Sequence, residues 1–546
     1  MNSIALAELF MDSPFPFSSS RPNSSDPAVL AQRRSQRAVA FSTPRRDSWA
    51  SCQSDSPYTV GSGSRLESIL SPERYSFSPD PRDWDFGYLP EHEEDDDDLH
   101  NPVLVIATKA DPDTPYDVYE KASWKDPHDV WTLVFSDEFN VEGRSFYPGD
   151  DPYWEAADLH YWATNDMEWY DPATVTTLGG SLSISLLKAP SHGLNFSGGM
   201  ISSWNKFCFT GGLLETSVVL PGMSNVMGLW PAVWTMGNLG RAGYGASLDG
   251  LWPYTYDSCD VGTLPNQTLN SLPAAARQNG DPYHNYSLSY LPGQRLSRCT
   301  CPGEDHPGPH HDDGSLVGRA APEIDCFEGK VRELLKGAVG EVSQSAQWAP
   351  YNAGYAWFNT SENMVIANPY KTRRNPYVGG VLQQVTSAIT GTDQECYMRK
   401  AGCYEVFGFE YKPGFDDAYI TWIANNAISW TLHAAGMASD PLVEISARPV
   451  PQEPMYIVIN LGLSRSFGPV DLDHLIFPNH MRVDYIRVYQ PSDAINIGCS
   501  PSGFPTESYI QRHIEAYTNP NLTTWRDDYG GAWPKNRLVE TCPLRA

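Results

Sequence analysis

The string APEIDCFEG, residues 321–329, places Glu323, Asp325 and Glu328 close together along the chain. Cleaving a glycosidic bond with retention needs two carboxyl groups facing one cleft, roughly 5–5.5 Å apart. On a regular strand Glu323 and Asp325 share a face, because side chains repeat every two residues, and Glu328 points away. One extra residue, a β-bulge around Cys326–Phe327, returns Glu328 to that face and leaves Ile324 and Cys326 turned toward the core. Crowded carboxyls repel, so at least one binds its proton more tightly. An acid beside a nucleophile at neutral pH needs that condition. The expected roles are Glu323 as nucleophile at the anomeric carbon, Glu328 as proton donor to the leaving oxygen, and Asp325 as the group that orients the nucleophile. Without the bulge, the same letters describe an exposed acidic strand or a cation site.

Aromatic residues are the natural companions of such a row, since a ring can stack on the apolar face of a pyranose. Trp230 and Trp234 flank Pro231 in GLWPAVW. With the alternation broken by proline, one of the pair is expected in the cleft and the other in the core. Trp162, Trp169 and Trp204 are further cleft candidates, whereas Trp422 reads as core. His306, His310 and His311 lie in a Pro/Gly-rich loop and read as solvated histidines. No metal site and no cofactor is expected.

The elements that must hold these residues are strands. Leu182, Ile184 and Leu186 alternate with Ser181, Ser183 and Ser185, the pattern of a strand with one wet face. LLETSVVL, YITWIA, MYIVIN and RVDYIRVY are β-rich runs bounded by Gly, Pro or Asn. Helical periodicity is scarce, and KVRELLKG, residues 330–337, is the best short helix candidate. With 45 Pro and 43 Gly among 546 residues, the chain favours turns, and the expected fold is an all-β sandwich with long loop insertions. A hydrophobic share of 41 % suffices to build its core. Asp and Glu number 66 against 38 Lys and Arg, a net charge of −28, which argues against a nucleic-acid partner.

Residues 1–100 differ in texture. They hold nineteen Ser, no Lys and two of the 17 Trp, too little apolar surface to offset the entropy of ordering, so a disordered tail is expected. It closes on EHEEDDDD, residues 91–98, which reads as a solvated acidic spacer. Within it, Ser35 after Arg33-Arg34 and Ser48 after Arg45-Arg46 resemble basophilic kinase sites. A lead-in over 101–130, a body over 131–490 and an extension over 491–546 bracketed by Cys499 and Cys542 complete the organisation. Pairing of those two cysteines would pin the extension, although connectivity is not readable from sequence. Nine of the 10 Cys follow residue 200. Asn-x-Ser/Thr sites stand at Asn23, Asn195, Asn266, Asn285, Asn359 and Asn521. Together these suit an oxidising, glycosylating compartment. Yet no opening basic n-region or apolar run of about 18 residues supplies a signal peptide or a span.

FSDEFN (135–140), GLWPAVWTMGN (228–238) and PEIDCFE (322–328) stand in the order seen in glycoside hydrolase family 16, and each resembles its pattern. The strings YPGDDPYWEAADLHYW, DGLWPYTYDSCDVGTLPNQT, CTCPGEDHPGP and YTNPNLTTW resemble one branch, the fungal β-1,6-glucan synthesis-associated proteins of the Kre/Skn type. The resemblance runs from about Asp111 to Cys542. It implies a concanavalin A-like β-jelly roll with a carbohydrate cleft across its concave sheet. It places nucleophile, assisting acid and acid/base on Glu323, Asp325 and Glu328, and implies a β-glucan substrate. The activity it implies is that of a glucosidase or transglycosylase in wall assembly, with a non-catalytic glucan holder as the alternative. Family members are single-pass type II membrane proteins with a luminal catalytic domain. Between Asp98 and Asp111 this chain offers only PVLVIA, too short to span, so a coding segment is expected to be missing there. The second departure is Cys326, where the family commonly carries an aliphatic residue. A small buried thiol is tolerable at a core-facing position, and it leaves eight body cysteines for pairing.

Overall fold

The computed structural model describes residues 109–543. The Ser/Pro-rich stretch, the acidic run, the two Arg-Arg serine sites, PVLVIA, Cys52 and Asn23 lie outside the described residues.

Two antiparallel sheets stack face to face. The first runs in the order Glu120–Ala122, Val130–Asp137, Asn479–Pro491, Gly212–Val219, Glu405–Lys412, Tyr419–Ala424, Ala427–His433 and Met364–Ile366, with Leu182–Leu186 also pairing the Asn479–Pro491 strand. The second runs Thr372–Arg374, Gln383–Gly391, Gly337–Trp348, Glu323–Leu334, Trp230–Gly237, Met455–Gly462, Phe196–Ser202 and Glu155–Ala156. Neighbouring strands are mostly distant in sequence, the crossing connectivity of a β-jelly roll. LLETSVVL, YITWIA, MYIVIN and RVDYIRVY all lie in or across these strands.

The core fills the space between the sheets with alternate residues of both. Val233, Ile324, Val342, Ile457 and Ile459 face Leu214, Phe407, Phe409, Trp422 and Val488. Trp422 stacks on Trp430 with centroids 4.1 Å apart and is a core residue, as its context suggested. Leu182, Ile184 and Leu186 are fully buried, but of the serine face only Ser185 is half-exposed, Ser181 and Ser183 being buried. Ser183 is flanked in the sheet by Thr176 and Arg482, which cover it.

KVRELLKG forms no helix. Residues 330–334 continue the Glu323–Leu334 strand, and the chain turns through Leu335-Lys336 into Gly337–Trp348. The i,i+3 and i,i+4 spacing of Val331 with Leu334 and Leu335 is helical only in isolation. Ten backbone pairings along this hairpin, Leu334 opposite Gly337 among them, prevail over local propensity.

Four disulfides join Cys208–Cys499, Cys259–Cys299, Cys301–Cys542 and Cys396–Cys403. Cys499 and Cys542 therefore do not pair with each other. Each ties one end of the extension to a different part of the body, because Phe209 bridges Ile497 beside Cys208 and Thr300 bridges Asn536 beside Cys301. Among the described residues, Cys326 is the free, buried thiol. Between Cys499 and Cys542, helices Glu507–Arg512 and Ile514–Thr518 lay Tyr509, Ile510 and Tyr517, and the segment after them lays Trp525, onto a second apolar cluster that includes Ala232, Trp234, Met236 and Tyr456.

Candidate functional site

The carboxyl row sits mid-sheet. Glu323 lies opposite Met236 on one side and Gln347 on the other, and Asp325 lies opposite Trp234 and Ser345. The register then slips. Phe327 faces Val233, while Glu328 faces Ala232 and Ser343, so Cys326 is the extra residue of a bulge. Ile324, Cys326 and Phe327 all turn into the core, and Glu323, Asp325 and Glu328 line one cavity of about 270 Å³. The next residue, Gly329, has to be glycine, since a Cβ there would come within 2.7 Å of the Pro231 ring.

Each acid has its own partners. Trp252 Nε1 donates to Glu323 Oε2 at 2.6 Å, and Trp230 Nε1 donates to Glu328 Oε1 at 3.1 Å. Asp325 Oδ2 accepts from Ser345 Oγ at 2.6 Å and Gln347 Nε2 at 3.1 Å, while Trp422 Nε1 donates to its backbone oxygen at 2.8 Å. The acids are crowded and poorly hydrated, and all three hold protons more tightly than usual. Glu323 is raised by burial first, then by Asp325 and Glu328. Asp325 is raised by burial, opposed by Ser345 and Gln347. Burial and Asp325 push Glu328 up to about 8.

Trp230 and Trp234 both line the cavity, so the expectation of one in and one out fails. Pro231 leaves the pleat intact. It pairs with Leu461 on one side, and pairing with the carboxyl strand has ended at Ala232, so its missing N–H breaks no bond there. Trp230 stacks on Phe467 with centroids 4.2 Å apart and planes 3° from parallel. Trp234 Nε1 donates to Asn460 Oδ1 at 2.8 Å. Trp162 lines the cavity too.

Trp204 does not. Its ring lies against Tyr517 of the extension with Arg241 4.3 Å away on the ring, and its Nε1 bonds the Asn238 backbone oxygen. The extension takes the surface that a sugar would need. Trp169 stacks on His192 and bonds Asp158, away from the cavity. His306 is no solvated histidine: its ring bonds the Leu296 oxygen and the Gly308 N–H, and burial pushes it down to about 3.

Two features escaped the sequence reading. Trp252 is the first, although its signal was present: the tetrapeptide Gly-Leu-Trp-Pro occurs at 228–231 and again at 250–253, and each tryptophan donates to one of the two glutamates. The second is the neighbouring wall. Asp166 lines the cavity and is pushed up to about 6 by burial, next to buried Glu168, whose Oε2 accepts from Leu463 N–H. Asn460, between Trp234 and Tyr170, completes that wall.

A two-sheet jelly roll carrying a carboxyl row and tryptophans in one cleft defines the class, an all-β sandwich with a lined cleft on one sheet. Residues 103–542 match the family described as beta-glucan synthesis-associated protein SKN1/KRE6/Sbg1, and the chain belongs to that family. It is 44 % identical over 443 residues to the beta-glucan synthesis-associated protein KRE6 of Saccharomyces cerevisiae, covering 80 % of this chain and 57 % of that one. It is 44 % identical over 432 residues to SKN1 of Candida albicans, covering 79 % and 54 %. The chain thus spans about half the length of the curated relatives it matches. Among solved structures, a non-specific endo-beta-1,3(4)-glucanase from family GH16, co-crystallised with 1,3-beta-D-cellotriosyl-glucose, is 16 % identical with a TM-score of 0.37, covering 66 % of this chain and 95 % of that one.

Proposed function

We propose that the protein is a retaining β-glucan-active glycosidase or transglycosylase that serves cell-wall β-1,6-glucan assembly. The observation that carries this reading is the bulge, which brings Glu323, Asp325 and Glu328 onto one face of one cavity. Glu323 Oε attacks the anomeric carbon as the glycosidic C–O bond breaks, and Glu328 gives its proton to the departing oxygen. In the second half Glu328, now a carboxylate, takes a proton from water or a sugar hydroxyl. That oxygen then bonds the anomeric carbon and releases Glu323. Asp325, fixed by Ser345 and Gln347, lies beside Glu323 and holds it in place. Trp230, Trp234 and Trp162 supply stacking surface. The proton that Glu328 needs at neutral pH is held there by burial and by the Asp325 charge.

Four disulfides support a luminal or extracellular site of action. So do sequon asparagines that lie exposed at Asn195, Asn266, Asn285 and Asn521. The test is to incubate the protein and its Glu323→Gln variant with β-1,3- and β-1,6-gluco-oligosaccharides and to read product mass and anomeric configuration. Longer oligomers of retained configuration indicate transfer, and shorter ones alone indicate hydrolysis. Sugars bound and left whole by both proteins would establish a glucan holder instead.

A further inference from the structure

The two Gly-Leu-Trp-Pro copies arrive at the carboxyl row by different routes. Trp230 begins a strand of the sheet itself. Trp252 lies in the insertion of residues 238–322, where the described elements are one four-residue helix and short 3-10 turns. A loop needs an outside support to hold an indole on a carboxylate at 2.6 Å.

That support is the C-terminal extension. Ala246 N–H donates to the Leu522 oxygen at 2.9 Å, and Trp525 N–H donates to Asp249 Oδ2 at 2.9 Å. Gly250, at a φ of +76°, lies so close to the indole of Trp533 that a Cβ would come within 2.4 Å of its Cη2. Arg295 binds the two together. Its Nε donates to the Asp249 oxygen at 3.0 Å, its Nη1 to Tyr509 Oη at 2.6 Å, and its guanidinium carbon lies 3.6 Å from the Trp525 ring centroid. Past Trp252, Ala321 N–H donates to the Leu251 oxygen at 3.1 Å, which ties the loop to the start of the carboxyl strand. Thr523 of the extension lines the cavity itself.

Resting on the function proposed above, we infer that Trp252 is a positioning residue for Glu323, and that the C-terminal extension is the part of the molecule that keeps it in place. An N–H aimed at Oε2 occupies that oxygen and leaves Oε1 to meet the anomeric carbon. It also favours the ionised form that attacks. Among the other ionisable groups around Glu323, Asp325 and Glu328 on its own strand work the opposite way, while the Tyr161 and Tyr456 hydroxyls, which burial keeps protonated, face it from neighbouring segments as neutral groups. Trp252 is the counterweight to that crowd.

The test compares wild type, Trp252→Phe, Trp533→Ala and the double variant of the full chain. Coupling of glycine ethyl ester by a carbodiimide, read by peptide mass spectrometry across pH, gives the pH at which the Glu323 carboxyl loses its proton without any need for turnover. Trp252→Phe keeps an aromatic ring and removes the donor, and its midpoint is expected about one pH unit above wild type. Trp533→Ala moves the midpoint the same way by less, and the double variant matches Trp252→Phe alone, because both changes act through one bond. An unmoved midpoint in Trp252→Phe overturns the role of Trp252. Fully additive midpoints, or a wild-type midpoint in Trp533→Ala, overturn the role of the extension. Turnover by Glu323→Gln on gluco-oligosaccharides, assayed beside these, would refute the proposed function and leave the hold on Glu323 standing.

Discussion

Glu328→Gln is expected to make the protein more stable, and the gain should depend on pH. The Glu328 carboxyl titrates near 8 in the folded protein against an ordinary 4.5, because burial and the Asp325 charge disfavour its ionised form. A group raised in this way binds its proton more tightly when folded. Its contribution to stability is complete below about pH 4.5 and is lost as pH rises toward 8. At pH 7, about 2.5 pH units above the ordinary value, the loss has an upper bound of about 3.4 kcal/mol at about 1.36 kcal/mol per pH unit. Glu328 is half-buried and keeps the Trp230 bond, so solvent screening reduces the realised figure to about 2 kcal/mol. The neutral amide has nothing to lose over that range. Urea midpoints for wild type and Glu328→Gln should coincide near pH 4 and separate in favour of the variant by about 2 kcal/mol at pH 7, with the gap widening toward pH 8. A gap that is absent, or that narrows as pH rises, would refute the account of this carboxyl as a group held protonated by its surroundings.

Trp230→Phe keeps the stack on Phe467 but removes the donor to Glu328, so the alkaline limb of kcat/KM on a gluco-oligosaccharide should move upward by roughly one pH unit. Deleting Cys326 leaves Glu323, Asp325 and Glu328 at alternate positions of a regular strand, so the three acids stay on one face and turnover should survive above the Glu323→Gln level, while urea stability falls with the loss of the buried thiol's packing. Glu453→Gln strands the fully buried Arg319 guanidinium, which also bonds the Gly308 and Pro505 oxygens, and should cost about 3–5 kcal/mol in chemical denaturation.

Much of the site was legible because it rests on local rules. Alternation put Glu323 and Asp325 on one face, and the need for a second carboxylate demanded an insertion between Asp325 and Glu328, which the register slip supplies. The sandwich was legible for the same reason, in the short β-rich runs that became strands of both sheets. What failed depended on contacts between distant residues. KVRELLKG looks helical until its partner strand is counted. Trp230 and Trp234 share a face, against the broken alternation that Pro231 suggests, because Leu461 on the next strand holds the pleat in place. Trp204 carries the composition of a cleft residue but lies under Tyr517, more than 300 positions later in the chain. Trp252 meets Glu323 across 71 residues, and only the repeated tetrapeptide hinted at it.

The cleft is assembled out of order in time. Glu323, Asp325 and Glu328 leave the ribosome about 200 residues before Thr523 and Trp525, an interval of roughly 10–40 s at ordinary elongation rates. A nascent chain therefore carries its acids before the wall that aims them, and the bond from Cys301 waits for Cys542. The cavity wall can therefore close on the acid row only after the segment around Thr523 and Trp525 has been made.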